Sequence, residues 1–165
     1  MSDQKPITLA EVAELTAEVC VAGGGHGPIA ESVNTRLITE FRASSGAIAG
    51  ELGDAVPLLL LTVKGAKTGL ERIIPLAYFE IDARIVVIAS MGGSDNHPTW
   101  YKNLIRNPDV KVEIGGGQFR ARAVATSGPD REKLFGRVCE LYSVFAGYQA
   151  KTSRVIPVVE LKRIA

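Results

Sequence analysis

No part of the chain constrains its fold more than the stretch from Pro57 to Ser90. An apolar run, Leu58–Val63, leads into Lys64-Gly65-Ala66-Lys67-Thr68-Gly69; Arg72-Ile73-Ile74-Pro75-Leu76-Ala77-Tyr78 follows, and then Arg84–Ser90. Short runs rich in Leu, Ile and Val and bounded by turn residues read as strands, and Leu58–Val63 fits a strand buried on both faces. Pro75 has no N–H to give a ladder, so the strand expected over Glu71–Asp82 should be bulged or lie at a sheet edge there. The loop between the two strands offers backbone N–H groups, a Lys ammonium and a Thr hydroxyl together, which is chemistry for holding an anion. The same residues also make an ordinary hairpin turn, and the loop taken alone does not decide between the two.

Any such anion site has to be local. The chain has 165 residues, with 19 basic against 18 acidic side chains and a net charge of +1, so no overall field draws it to nucleic acid or to an anionic membrane. Around the first loop, however, Lys64, Lys67 and Arg72 against Glu71 leave an excess of two positive charges, three minus one. At this length one domain with one core is expected, and 46% apolar with 22% charged residues is ordinary for a globular protein. Cys20 and Cys139 are far apart, and neither belongs to a Cys-x-x-Cys, so no disulfide framework is expected. With only His26 and His97 beside them, structural zinc is not expected either. Met1–Pro6 is polar, Glu11, Glu14 and Glu18 occupy what would be a secretory apolar region, and no apolar run approaches the roughly 20 residues that span a bilayer. A cytoplasmic protein without a transmembrane segment is the expectation.

In chain order, Thr8 and Glu11 form a capping box for an amphipathic helix over Leu9–Val21. Gly23-Gly24-Gly25-His26-Gly27-Pro28 is a connector. A second helix is expected from Ile29 to Phe41, with Val33, Leu37, Ile38 and Phe41 as its apolar stripe. Residues 1–56 then form a helical extension to a domain over 57–165. After the first two strands, a turn is expected at Glu80–Arg84 and a strand at Ile85–Ala89; Ser90-Met91-Gly92-Gly93-Ser94-Asp95-Asn96 is a second glycine-bearing loop. His97-Pro98 opens a helix whose apolar face is Trp100, Leu104 and Ile105, and Asn107-Pro108 stops it. Strands over Val110–Ile114 and Gln118–Thr126, the latter turning Phe119, Ala121, Ala123 and Ala125 to one side, are joined by Gly115-Gly116-Gly117. A helix from Pro129 to about Tyr142 with Leu134, Val138 and Leu141 inward, and a last strand over Ile156–Leu161, complete an α+β fold: a split antiparallel β-barrel with covering helices.

The run Leu-Leu-Leu-Thr-x-x-Gly-Ala-Lys-Thr-Gly at 59–69, Pro75-Leu76, Ala89-Ser90-x-Gly92-Gly93, His97-Pro98-x-Trp100-Tyr101-x-Asn103-Leu104, Asn107-Pro108, Tyr148-Gln149 and Ile156-Pro157-Val158-Val159 resemble the deazaflavin-dependent nitroreductases. The resemblance runs from Phe41 to about Leu161 in order and spacing. It implies a flavin-reductase-like split barrel, coenzyme F-420 as cofactor, and hydride transfer to a quinone, nitroaromatic or activated enone. It further implies that Ala66, Lys67 and Thr68 hold the cofactor's phosphodiester and glutamate arm, that Arg72, Ile73, Ile74, Pro75, Leu76 and Ala77 line it, and that Ala89, Ser90, Met91, Gly92 and Gly93 approach its ring. Thr99, Trp100, Tyr101, Lys102 and Asn103 are implied as further cofactor contacts, with Tyr142, Phe145 and Tyr148 facing the acceptor and Tyr142 or Tyr148 as catalytic proton donor beside solvent. Relatives carry a tyrosine where this chain has Phe145, which can stack but has no hydroxyl to donate.

Some of these residues keep a structural reading beside the functional one. Trp100 is either core or ligand contact, Ser90 bonds a ring edge or caps its loop, and His97 orders the helix start and is a poor general acid. An FMN-dependent reductase on the same barrel and a non-catalytic deazaflavin carrier stay as alternatives; a homodimer and peripheral attachment to a membrane are left open.

Overall fold

The computed structural model describes residue 35, residues 38–46 and residues 57–164. Seven strands, β1 (Leu58–Lys64), β2 (Glu71–Ala77), β3 (Phe79–Ile81), β4 (Arg84–Ile88), β5 (Asp109–Ile114), β6 (Gly117–Ala125) and β7 (Val158–Arg163), form one sheet in the order β2-β1-β5-β6-β7-β4-β3. Every neighbouring pair is antiparallel. The helices are α1 (Thr99–Arg106), α2 (Gly128–Leu141) and α3 (Val144–Ala150), with a 3-10 turn at Met91–Gly93. The sheet curls into the expected split antiparallel barrel with covering helices. Among the described residues, no helix is long and apolar enough to cross a membrane.

Two-sided burial explains the curl. Leu59, Leu61 and Val63 on β1, Val87 and Ala89 at β4, Val110 and Val112 on β5, and Val159 and Leu161 on β7 point inward with Trp100 and Leu104 of α1. The alternate residues of β4 and β7, Val86, Ile88 and Val158, pack outward with Phe79, Ile81 and Ile156 under Leu134, Phe135 and Val138 of α2. On the other flank the outward Leu60 of β1 is buried as well, so β1 is covered on both faces as its sequence requires. There the segment 38–46 lies close by: Arg42 makes a bidentate pair with Glu113, opposite Leu60, at 3.1 and 3.0 Å, and Phe41 is buried. Gly46 comes so close to the β5–β6 turn that a Cβ on it would sit 2.5 Å from Gly115 Cα. The expected helix over Leu9–Val21, the glycine connector, and most of the 1–56 extension fall outside the described residues; of the second expected helix, 38–41 is seen as helix.

Several expectations need correction. Glu71–Asp82 is not one strand: it divides at Tyr78 into β2 and β3, which end up on opposite edges of the sheet. Ile74 and Leu76 pack on the inner core, whereas Phe79 and Ile81 belong to the outer one, so the chain changes layer at that point. Pro75 does lie on an edge strand, where a missing donor is tolerated. The turn expected over Glu80–Arg84 is only Asp82-Ala83, both at positive φ (52° and 63°), closing a two-residue hairpin with Ile81 opposite Arg84. Ile105 and Leu141 are 51% and 60% exposed, and Ala125 is exposed, because the apolar stripes outrun the partners that cover them.

Arg84 fastens β4 to α2 and β7: it holds Asp130 in a bidentate pair at 2.8 Å and donates to Glu160 at 2.8 Å. Its hydrogen bonds keep the Asp130 carboxyl below the ordinary aspartate range. A depressed carboxylate contributes stability that is present above its unfolded pKa, near ~3.9, and is lost as pH falls through the lower folded value. Arg84→Gln is therefore expected to flatten the acid side of a melting-temperature profile below about pH 4. A profile as steep as that of the wild type would contradict this role.

Candidate active site

The first loop, residues 65–69, joins β1 to β2. Gly65 donates to Leu70 O at 2.8 Å, Gly69 donates to Gly65 O at 2.9 Å, and Leu70 N–H donates to Thr68 Oγ1 at 3.2 Å. A Cβ on Gly65 would lie 2.8 Å from Thr68 Oγ1, so a larger residue there would displace that hydroxyl from its place in the bend. Ala66 N–H donates to Asn103 Oδ1 of α1 at 3.1 Å, so α1 sets where the loop sits. Among the described residues, the N–H groups of Lys67 and Thr68 have no protein acceptor. Nor do Lys64, Lys67 and Arg72 have a carboxylate partner, because Glu71 pairs instead with Lys111 at 3.8 Å. The bend thus presents unspent N–H donors and unpaired cations together, as an anion site requires. A groove of about 440 Å³ abuts it at Lys64 and Glu71 and continues past Lys111 and Arg120, without reaching the second loop.

The second loop begins where Ala89 N–H donates to Pro157 O at 3.0 Å. Met91, Gly92 and Gly93 follow at φ 45°, 64° and 86°, three left-handed residues in succession, with Gly93 N–H donating to Ser90 O and Ser94 N–H to Met91 O. The loop rests on α3: a Cβ at Gly93 would lie 2.7 Å from Tyr148 O. Arg154, which no sequence motif singled out, holds it from behind through Ser94 O (2.7 Å), Ser90 O (2.9 Å) and Ala89 O (3.2 Å).

Helix α1 connects the two loops. Its N-cap residue, Pro98, supplies no side-chain capping bond, and this end of the helix lies beside the second loop. Asn103, which holds the first loop, is roughly 6 Å further along the helix at 1.5 Å per residue. Arg154 Nη1 lies 3.2 Å from His97 Nδ1; a guanidinium only donates, so Nδ1 accepts and the imidazole proton is on Nε2. Burial, then Arg154 and Lys102, push the His97 pKa down, which leaves a neutral ring tied to the loop and unsuited to act as an acid. Its ring packs 4.9 Å from that of Tyr101, whose phenol is pushed up by burial. Trp100, expected among the cofactor contacts, has its side chain in the inner core at 8% exposure. Asn103 likewise acts on the loop through its side chain.

The aromatic wall forms around Phe79. Tyr142 and Phe145 each lie 5.4 Å from its ring, and Phe145 meets Tyr148 edge-on at 5.6 Å. All three expected acceptor-facing residues are half-buried. Among the described residues, the Tyr148 hydroxyl has no hydrogen-bond partner. Helix α3 is held by Gln149, which donates to Arg154 O at 2.7 Å and accepts from Ile156 N–H at 3.0 Å and from Arg131 at 2.9 Å. The expected lining strand, 72–77, is half-buried apart from the exposed Arg72.

Residues 34–163 match the family model described as F420-H2-dependent quinone reductase. Over 126 residues, 74% of this chain and 85% of the relative, the sequence is 38% identical to an F420-H2-dependent quinone reductase of Mycobacterium tuberculosis. Among solved structures, an F420-H2-dependent reductase (FDR-A) superposes with a TM-score of 0.59 at 37% identity, covering 64% of this chain and 94% of that one. A protein described as a domain-swapped dimer superposes with a TM-score of 0.62 at 33% identity, covering 80% and 96%.

Proposed function

Since the chain belongs to the F420-H2-dependent quinone reductase family, we propose that it binds reduced coenzyme F-420 and reduces a quinone, with nitroaromatics and activated enones as further acceptors. The observation that carries this reading is the joining of two unlike loops by one short helix: at Asn103 a cationic bend whose Lys67 and Thr68 N–H groups have no acceptor among the described residues, and at the helix N-terminal end a left-handed glycine shelf. The residues present fit such a cofactor. Lys67, Arg72 and the N–H groups of Lys67 and Thr68 take the phosphodiester and carboxylates, and the edge strand 72–77 lines the arm. Gly92 and Gly93 let backbone come close to a flat ring, with Ala89, Ser90 and Met91 beside them.

When bound, reduced F-420 supplies a hydride, two electrons together. The protein's part is to bind, orient and shield, so no nucleophile–base set is required. Phe145 gives the acceptor a stacking edge but no proton. The proton comes from Tyr148, Tyr142 or solvent; in favour of Tyr148 is a hydroxyl without a hydrogen-bond partner among the described residues. The relatives above are named for F-420, which favours it over FMN. The relative described as a domain-swapped dimer motivates a homodimer of this chain, to be checked by light scattering.

Titrating the purified protein with reduced F-420 and, separately, reduced FMN, then adding menadione, tests the reading. Return of F-420 absorbance after menadione is expected. Turnover with FMN alone would assign a flavin reductase, and F-420 binding without turnover would assign a carrier.

A further inference from the structure

We propose that Arg154 is the positioning residue of this site, holding the ring-side loop with its side chain and the aromatic wall with its backbone, and so fixing how the two sit against each other. The inference rests on the reading that residues 89–93 carry the cofactor's ring. Arg154 itself belongs to neither the cofactor contacts nor the acceptor contacts assigned above.

The loop is poorly able to hold its own shape. Met91 has a side chain at φ 45°, and two more left-handed residues follow it, with only the Gly93-to-Ser90 and Ser94-to-Met91 bonds inside the turn. Such backbone persists where its surroundings over-determine it. Arg154 supplies that constraint: Nε donates to Ser94 O, Nη1 to Ala89 O and His97 Nδ1, and Nη2 to Ser90 O, so four of five guanidinium N–H groups grip the two ends of the loop and the residue that opens α1. Every acceptor is neutral, and among the described residues no carboxylate pairs with this guanidinium. A surface ion pair would be a weaker fastening than this fork of charge-assisted bonds to backbone.

The other end of the same residue reaches the wall. Arg154 O accepts from Gln149 Nε2 at 2.7 Å, and the Gln149 carbonyl oxygen is held by Ile156 N–H and by the buried Arg131. Gln149 follows Tyr148 directly and sits one helical turn after Phe145 on α3. Thr152 adds a second tie, its hydroxyl donating to Asp95 near the end of the loop at 2.7 Å. Moving Arg154 therefore changes how the glycine shelf seats against α3, the helix that carries Phe145 and Tyr148 of the aromatic wall.

Backbone amide exchange in the protein without cofactor reads the brace directly. Arg154→Gln is expected to speed exchange at Ser90–Ser94 by about tenfold or more, the size expected for losing charge-assisted bonds, while β1, β5 and β6 exchange as in the wild type. F-420 affinity and acceptor KM should both worsen by about tenfold. Arg154→Lys, which keeps the charge but not the fork, should fall between the two, and millimolar guanidinium should restore part of the F-420 affinity of Arg154→Ala. In wild-type protein the Arg154 Nε–H is expected to exchange much more slowly than that of the exposed Arg106, a measurement needing no variant if Arg154→Gln does not fold. Unchanged exchange at residues 90–94 in Arg154→Gln, or an Arg154 Nε–H as fast as that of Arg106, overturns the proposal. A wild-type protein that fails to bind F-420 would overturn the proposed function, while the exchange results would still decide whether Arg154 braces the loop.

Discussion

Gly93→Ala is expected to lower the melting temperature by about 5–15 °C, the equivalent of roughly 2–5 kcal/mol in a chain of this size, and to weaken F-420 binding with it. Two costs combine. The residue sits at φ 86°, where an L side chain costs about 1–2 kcal/mol. The new Cβ would then lie 2.7 Å from Tyr148 O and 3.0 Å from Lys151 Cβ. The first of these is backbone at the end of α3 and cannot rotate away, so overpacking adds about 1–3 kcal/mol. The protein can relieve the contact only by lifting the loop off α3, which exchanges part of the thermal loss for a loss of cofactor affinity. Gly128→Ala is the control: φ is 57°, but nothing lies within 4 Å, so only the conformational cost applies. A Gly93→Ala protein melting no lower than Gly128→Ala would show that the loop does not press on α3.

How much of this could be read in advance depends on whether the deciding partner is itself visible in sequence. The placement of β1 was legible because Leu58–Val63 is apolar on both faces, and that of Pro75 because a missing N–H excludes it from the middle of a sheet. Both loops were legible as loops, and the positive bend followed from Lys64, Lys67 and Arg72. The break at Tyr78 was not: the residues on either side are equally strand-like, and only closure of the sheet sends Ile74 and Phe79 to different cores. Ile105 and Leu141 continue their helical stripes past the surfaces that bury Leu104 and Val138, so periodicity alone overcounts them. Trp100 fell to the core because α1 turns that face toward β1 and β6. Arg154 stayed hidden for another reason: its acceptors are backbone carbonyls, which no sequence pattern marks.

If the first loop grips the anionic arm of F-420, reversing both of its nearest cations has a predictable size. Two unit charges about 7 Å apart interact by about 0.6 kcal/mol in water, and screening at physiological salt leaves roughly 0.25 kcal/mol. Lys67→Glu with Arg72→Glu changes the local charge by four units, and against about two anionic groups on the arm this totals roughly 2 kcal/mol, or about a 30-fold rise in Kd. Lys67→Ala alone removes one unit and its direct contact, and should cost several-fold. Neither change should disturb the fold: both side chains are exposed, and among the described residues neither has a carboxylate partner to lose. The salt dependence separates this account from a merely structural one. Wild-type affinity for F-420 should fall as salt rises from 50 to 500 mM, whereas the doubly reversed protein should lose that slope or invert it, because salt then screens repulsion. Fluorescence titration at both salt concentrations measures each quantity. Equal slopes in the two proteins would mean that the arm lies elsewhere, the neighbouring groove beside Lys111 and Arg120 being the next place to reverse charge.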